Sequence, residues 1–379
     1  MIRVLPFVAT MLCLTAKAQT IVTITETNAN GTAKYEATVA DDDTTKNGAY
    51  TFTSNGITIQ KGSFRNNMPD GKFETFYADG SKKMVQEYAE GKKHGQYLFY
   101  SENGTLIQRG SFENDRLEGT FEQFDDSGKI NEKSTYKNGQ LNGKHTKYYE
   151  NGNIMQEQQY VDGQPNGEYR HYYKEGQLNY LGTKDSAGFA GTLIAFTQNG
   201  DTLRKSQYAN GMLNGYMIEY YGNNAIKSKT RFVDNKCEGI YTEFFTNGNV
   251  AETGQYANGK RIGHWQSFYP DGNVFSEGDF KNGLFEGYWT IFYQNGNKKQ
   301  AGAYHNGLSN GQWIFFHPNG NVHKYGQFIN DKEFGPWVVF KDNGEMEGVL
   351  MLINGKASMG AYYNNGHLTL MIGQNEIAK

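Results

Sequence analysis

The sequence predicts an all-β protein, an elongated array of antiparallel β-hairpins built from tandem 24-residue repeats. Glycine recurs every 24 residues, an aromatic residue follows each of these glycines at a fixed distance, and Asn-Gly or Asp-Gly pairs separate the aromatic segments. The composition agrees, because 47 glycines and 27 tyrosines in 379 residues disfavour helices, and six prolines are too few for collagen. Disordered chains are poor in aromatic residues, whereas this one has 15 %.

Residues 1–18 are predicted to be a signal peptide. Arg3 precedes an apolar run from Val4 to Leu14, and Ala16-Lys17-Ala18 has the small residues of a cleavage site. The apolar run is shorter than the about 20 residues that cross a bilayer. We therefore expect an exported protein that is periplasmic, exposed at the outer surface or secreted.

Cleavage of this leader would change both the charge and the cysteine content. Loss of Arg3 and Lys17 would leave 35 basic residues against 40 acidic ones, so the net charge would move from -3 to -5. Nothing in that balance favours nucleic acid or an anionic lipid surface as a partner. Cys237 would be the single remaining cysteine, so we expect no disulfide within the chain.

Residues 19–47 lack the period and are predicted to form an N-terminal β cap. Two β-prone segments, Ile21–Ile24 and Tyr35–Val39, flank Asn30-Gly31, which is typical of a hairpin. A cap of this kind would cover the first edge of the array, where an open strand would otherwise invite aggregation.

Residues 48–358 are predicted to be the repeat array. The anchor glycines of the period are Gly71, Gly95, Gly119, Gly143, Gly167, Gly191, Gly215, Gly239, Gly263, Gly287, Gly311 and Gly335. A Phe or Tyr follows each anchor by five residues, and a turn residue, Gly or once Asn224, follows by nine. A second aromatic and an Asn-Gly or Asp-Gly pair complete most units. Each unit is therefore predicted to form a strand, a tight turn, a second strand and a second tight turn.

All four tryptophans lie two residues after an anchor glycine, in four successive units: Trp265, Trp289, Trp313 and Trp337. Adjacent hairpins would stack them into one row. This row is the candidate binding surface, and burial in the core is the alternative. The aromatics at positions two and five differ by an odd number, so we expect either a bulge between them or aromatic rings on both faces.

The repeat resembles the MORN repeat (membrane occupation and recognition nexus). The pattern is clear in Gly263-His264-Trp265 with Phe268-Tyr269 and Asp271-Gly272, followed by Gly278-Asp279-Phe280 and Asn282-Gly283. It is most similar to the longer variant of bacterial proteins called YwqK-type antitoxins. This resemblance implies MORN-like hairpins, with scaffolding, dimerisation, membrane apposition or toxin neutralisation as functions.

Two places depart from the period. In the unit from Gly167, Lys184 takes an aromatic position and Ala187 a turn position, so we expect a decayed repeat, with a hinge as the alternative. Residues 359–379 fall out of register and are predicted to form a C-terminal cap, with a closing strand over Leu368–Ile372.

No catalytic or metal-binding motif emerges, and no cofactor is expected. His317 and His323 flank one turn and are expected to approach each other, but a structural zinc site needs four ligands. Asp41-Asp42-Asp43 lacks the spaced ligands of a calcium loop. The Gly-x-x-x-x-Gly spacings lack the Lys-Ser/Thr pair that completes a phosphate loop. We therefore expect that the protein is not an enzyme.

The function predicted from these observations is that of an exported binding or scaffold module, which contacts its partner through an extended, aromatic-rich β surface. The alternative is an antitoxin or immunity protein that masks a toxin. A protein is the first expectation for the partner. A glycan or surface polymer comes next, a lipid surface is less favoured, and nucleic acid is not expected.

Overall fold

The computed structural model describes residues 20–40, 43–222, 224–364 and 367–372, and within them every regular element is a β-strand. The predicted signal peptide, Asp41 and Asp42 of the acidic run, and the chain beyond Ile372 lie outside the described residues. The chain divides into two compact units, residues 1–164 and 165–379. The all-β prediction is confirmed in each of them.

In the first unit, antiparallel strands follow one another in chain order. Two short segments, β5 and β10, pair only with the ends of β4 and β9, which also pair with β6 and β11. The strands are β1 (Thr20–Asn28), β2 (Gly31–Ala40), β3 (Asp43–Ser54), β4 (Ile57–Arg65), β5 (Met68–Pro69), β6 (Gly71–Phe76), β7 (Lys82–Ala89), β8 (Lys92–Tyr100), β9 (Leu106–Glu113), β10 (Arg116–Leu117), β11 (Gly119–Phe124), β12 (Ile130–Lys137), β13 (Gln140–Tyr148) and β14 (Ile154–Val161).

In the second unit, each strand pairs antiparallel with the next one in the chain. The strands are β15 (Gln164–Tyr172), β16 (Leu178–Asp185), β17 (Gly188–Phe196), β18 (Thr202–Ala209), β19 (Met212–Tyr220), β20 (Ile226–Val233), β21 (Lys236–Phe244), β22 (Val250–Ala257), β23 (Lys260–Phe268), β24 (Val274–Lys281), β25 (Leu284–Phe292), β26 (Lys298–His305), β27 (Leu308–Phe316), β28 (Val322–Ile329), β29 (Lys332–Phe340), β30 (Met346–Ile353), β31 (Lys356–Asn364) and β32 (His367–Ile372).

The two predicted turns of a unit are confirmed, and the unit from Gly263 shows both. Between β23 and β24 the amide of Gly272 donates to the carbonyl of Tyr269 (2.9 Å). Between β24 and β25 the loop is the Asn282-Gly283 pair, whose φ angles of 55° and 86° are those of a two-residue hairpin turn. The dipeptides that separate the aromatic segments therefore fix the strand register.

For the aromatics two and five residues after each anchor glycine, the sequence predicted either a bulge between them or rings on both faces, and the structure has both. The register shifts between Val339 and Phe340, as it does just before the equivalent aromatic of the other first strands. The rings also lie on opposite faces. Trp337 is buried, whereas Phe340 stacks on Tyr325 at 6.0 Å on the side of Val338. Because side chains alternate along a strand, each unit presents one ring to each face.

A second irregularity lies at the anchor glycine. β24 and β25 pair at Glu277↔Thr290 and at Asp279↔Glu286, which leaves one residue of β24 opposite three of β25. Gly287 lies in this bulge with φ +70°, a left-handed conformation that favours glycine. All twelve anchor glycines have a positive φ. A register shift recurs at the anchor glycine in most units, whereas Gly71 and Gly119 begin the separate strands β6 and β11.

The ends have the expected extra strands. β1 and β2 form a hairpin, but its loop is residues 29–30, one position before the predicted Asn30-Gly31. β32 begins at His367 and provides the closing strand predicted over Leu368–Ile372. The boundaries predicted at 47–48 and 358–359 fall inside β3 and β31.

Candidate binding surface

The four tryptophans of the second unit are buried. Their exposed fractions are 1 % for Trp265, 8 % for Trp289, 3 % for Trp313 and 1 % for Trp337. Of the two possibilities, burial in the core therefore describes the tryptophans, and they do not form a row of exposed indoles. The face that carries them is called the aromatic face below, and the opposite side is the polar face.

The indoles do not stack directly on one another. A Phe or Tyr from the second strand of each hairpin lies between successive tryptophans, so that Phe280 contacts both Trp265 (5.8 Å) and Trp289 (5.2 Å) edge to face. Tyr304 and Phe328 take the same place in the next two units. Edge-to-face pairs add about 0.5–1.5 kcal/mol each beyond area burial. This alternation lets a single sheet bury four indoles.

Each indole covers a glycine that is extended rather than left-handed. A Cβ at Gly278 would overlap the ring atoms of Trp289, and Gly254, Gly302 and Gly326 have the same relationship to the other three tryptophans. In the first unit and at the start of the second, where the ring is smaller or absent, this position often carries a buried polar residue, such as Gln86, Ser134 or Ser206. Glycine at this position therefore leaves the space that the indole ring occupies.

An open concavity of about 230 Å³ lies on the aromatic face, and we call it the aromatic groove. Its wall consists of Phe275, Ser276, Phe285, Trp289, Ile291, Tyr304 and Trp313. Phe275 and Phe285 are 39 % and 38 % exposed. Phe285 lies edge to face on Trp289 at 4.7 Å, which fixes its ring. Two of the four predicted tryptophans thus line the groove, and two do not.

Cations cover the neighbouring indoles on either side of this groove. The guanidinium of Arg261 lies 4.0 Å from the ring centre of Trp265 and donates to both carboxylate oxygens of Glu252, at 2.9 and 2.8 Å. The ammonium of Lys324 lies 4.7 Å from Trp337 and pairs with Glu333 at 2.9 Å. Each cation is paired with its own carboxylate. The apolar groove between Arg261 and Lys324 therefore has no unpaired charge from these two residues at either end.

A family model described as MORN repeat variant matches seven segments, residues 93–114, 117–138, 141–162, 165–183, 238–258, 261–282 and 309–330. These seven segments, which together cover less than half of the chain, are similar to MORN repeat variants. The units between these segments form the same hairpins, as β25 with β26 and β19 with β20 illustrate.

In both pairs the register shifts immediately before the aromatic that lies five residues after the anchor glycine, Phe292 in one and Tyr220 in the other. The matched unit from Gly263 has the same shift. The same hairpin geometry therefore continues through units that the family model does not match.

Among solved structures, the chain is similar to one chain of "Crystal Structure of TcdB2-TccC3", at 10 % identity and a TM-score of 0.13. That match covers 93 % of this chain and 26 % of the other. No curated protein matches the sequence. In the part of the chain that the structure describes, no helix has the length and apolar character needed to cross a membrane.

Sequence reasoning missed the two exposed rings of the aromatic groove. Phe275 and Phe285 stand outside the recurring aromatic series of the MORN units, where other units carry residues such as Lys299 and Ser309. The available signal was an aromatic residue at a position that the repeat does not require to be aromatic. Departures from the period, rather than its most regular positions, therefore mark the groove.

The predicted approach of His317 and His323 is confirmed, with ring centres 4.5 Å apart. A ring nitrogen of His317 also lies 2.9 Å from the carbonyl oxygen of Phe340. Burial, and then the neighbouring His317, lowers the pKa of His323. Among the described residues, no group of three or more His, Cys, Asp or Glu side chains could hold a metal ion.

Proposed function

We propose that this protein is an exported, non-enzymatic binding module that holds a protein partner in its aromatic groove. The observation that carries the proposal is the pair of exposed rings, Phe275 and Phe285, beside an apolar concavity of about 230 Å³. Aromatic anchors that flank a preformed pocket are typical of the energetic centre of protein interfaces. The export part of the proposal rests on the sequence of residues 1–18.

A protein side chain fits this groove better than the other classes of partner. The lining has no charged residue, which disfavours phosphate groups and nucleic acid. Its rings meet edge to face around a pocket, whereas a sugar ring is best held on an open aromatic surface. An apolar side chain of a partner would bury the exposed parts of both phenylalanines, at about 25 cal/mol per Å² of apolar surface.

The test is crosslinking of the tagged full-length protein in cells, followed by mass spectrometry of what co-purifies from the envelope and the medium. The double variant Phe275→Ala/Phe285→Ala removes the exposed rings. The matched control, Ile329→Ala/Ile353→Ala, truncates two apolar side chains that are 47 % and 54 % exposed elsewhere in the same unit. We expect one partner that the wild type and the control capture and the groove variant loses.

Other outcomes contradict specific parts of the proposal. Equal capture by the groove variant would show that the partner binds elsewhere. Recovery outside the cytoplasm without any protein partner would favour a glycan or surface polymer. Recovery from the cytoplasm with residues 1–18 still attached would contradict export.

The antitoxin alternative rests on the resemblance of the repeat motif to the YwqK-type family. It requires a tight one-to-one complex in which the partner is a toxin and loses its activity. The identity and activity of the captured protein therefore separate the two functions in the same experiment. A partner that keeps its activity in the complex would support the binding or scaffold function.

A further inference from the structure

The polar face of the second unit carries a second concavity, of about 400 Å³, between β19, β20 and β21. Its lining consists of Tyr216, Lys229, Arg231, Gly239, Ile240 and Thr242. Tyr216 is 44 % exposed and Ile240 is 64 % exposed. This concavity shares no residue with the aromatic groove.

Cations lie in a row along β20 beside this concavity. Lys227, Lys229 and Arg231 are exposed and alternate with the buried residues Ser228, Thr230 and Phe232. Alternate residues of a strand are about 7 Å apart on the same side. Lys205 lies on this side too, because Lys205 and Lys229 are both register partners of Ile218. We call Lys205, Lys229 and Arg231 the basic patch.

The basic patch has no carboxylate to neutralise it. None of its three side chains forms an ion pair among the described residues. The residues of β19 and β21 that pair with Lys229 and Arg231 are Ile218, Thr242 and Tyr216. The nearby Glu219 accepts a hydrogen bond from Ser228, on the other face, at 3.1 Å.

In the first unit, cations at the repeat positions equivalent to those of the basic patch are paired with a carboxylate. Arg109 and Lys133, which are equivalent to Lys205 and Lys229, both pair with the buried Glu122. Glu74 likewise pairs with three lysines. In the second unit the position of Glu74 and Glu122 is occupied by Ile218 and Thr242. At these positions the second unit therefore has the cations without the carboxylate that pairs with them in the first unit.

We propose that the basic patch docks an acidic, extended segment of the protein partner. Carboxylates at alternate positions of such a segment have the same spacing of about 7 Å as Lys229 and Arg231. Apolar side chains next to them would contact Tyr216 and Ile240. The inference rests on the proposed function, since it assumes a protein partner, and it adds the chemistry that the partner presents.

The probe is a fluorescent twelve-residue peptide with glutamate at alternate positions, and its control has glutamine instead. Anisotropy is measured with the full-length protein at about 20 and 200 mM NaCl, because screening weakens exposed charge pairs. The patch variant is Lys229→Gln/Arg231→Gln. The control variant, Lys281→Gln/Lys332→Gln, makes the same change in net charge at exposed positions of the same unit.

We expect the wild type and the control variant to bind the glutamate peptide at low salt, and the patch variant to bind it at least tenfold more weakly. The glutamine peptide should not bind. Equal affinities of the patch and control variants would overturn the proposal, and so would a lack of binding at 20 mM NaCl. Patch-dependent binding to vesicles with 30 % phosphatidylserine, but not to the peptide, would overturn it in favour of a lipid surface.

The capture experiment separates this inference from the proposed function. If the patch variant captures the partner as well as the wild type does, while the groove variant loses it, the inference fails and the function stands. If no protein partner is captured at all, the proposed function fails. Peptide binding would then show an anion-binding patch without a protein partner, which also overturns the inference.

Discussion

The indole of Trp289 covers Gly278 so closely that a Cβ at position 278 would overlap the ring. We therefore expect Gly278→Ala to destabilise the second unit by about 1–3 kcal/mol, the usual cost of overpacking. Urea unfolding followed by tryptophan fluorescence would measure it, because all four tryptophans lie in this unit. The control is Gly222→Ala, where the added Cβ meets open space. Equal midpoints for the two variants would contradict the packing argument.

The burial of the indoles makes a second prediction. Because none of the four is more than 8 % exposed, acrylamide should quench the fluorescence of the folded protein weakly and that of the urea-unfolded protein strongly. Trp313→Ala should cost about 3–5 kcal/mol, as large core truncations do. Tyr288→Ala, at a site that is 59 % exposed, should cost far less. Strong quenching in the folded state would contradict a buried row.

The repeat architecture could be predicted from the sequence because its causes are local. A glycine that must be left-handed, an Asn-Gly turn and an aromatic at a fixed distance each leave a residue that can be recognised without a structure. Twelve repetitions then make each of these signals specific. The hairpins and their turns followed directly.

The packing could not be predicted in the same way, because it depends on which residues lie opposite each other. The sequence shows Trp265 and Trp289 at equal spacing, but only the register places Phe280 between them. It likewise shows Lys229 and Arg231 as ordinary strand cations. Their lack of carboxylates becomes visible only when the partners on β19 and β21 are known.

A third prediction concerns the pH dependence of the first unit. Hydrogen bonds from Lys82 and Lys61 lower the pKa of Glu74 from 4.5 to about 2. A carboxyl group with a lowered pKa in the folded state stabilises the fold above its unfolded pKa and loses this contribution as the pH falls through its folded value. We therefore expect wild type to be more stable than Glu74→Gln above about pH 4.5, with the difference vanishing towards pH 2.

The effect should stay below about 3 kcal/mol, because the lysines are partly exposed to solvent. Hydrogen exchange of the β6 and β7 amides measures it locally, which the tryptophans of the other unit cannot do. Glu102→Gln, at an exposed turn of the same unit, is the control. A difference between wild type and Glu74→Gln that does not change with pH would contradict the ion-pair explanation.

The last prediction concerns the irregular unit, where a lysine replaces an aromatic residue. The ammonium of Lys184 lies 4.2 Å from the ring centre of Tyr169 and 4.6 Å from that of Phe189, and burial lowers its pKa. β16 and β17 remain paired up to Asp185↔Gly188. Because this lysine is held between two rings, we expect trypsin to cut after it no faster than after Lys281, which precedes a regular turn and is exposed. A preferred first cut between Leu181 and Phe189, identified by mass spectrometry, would instead support a hinge.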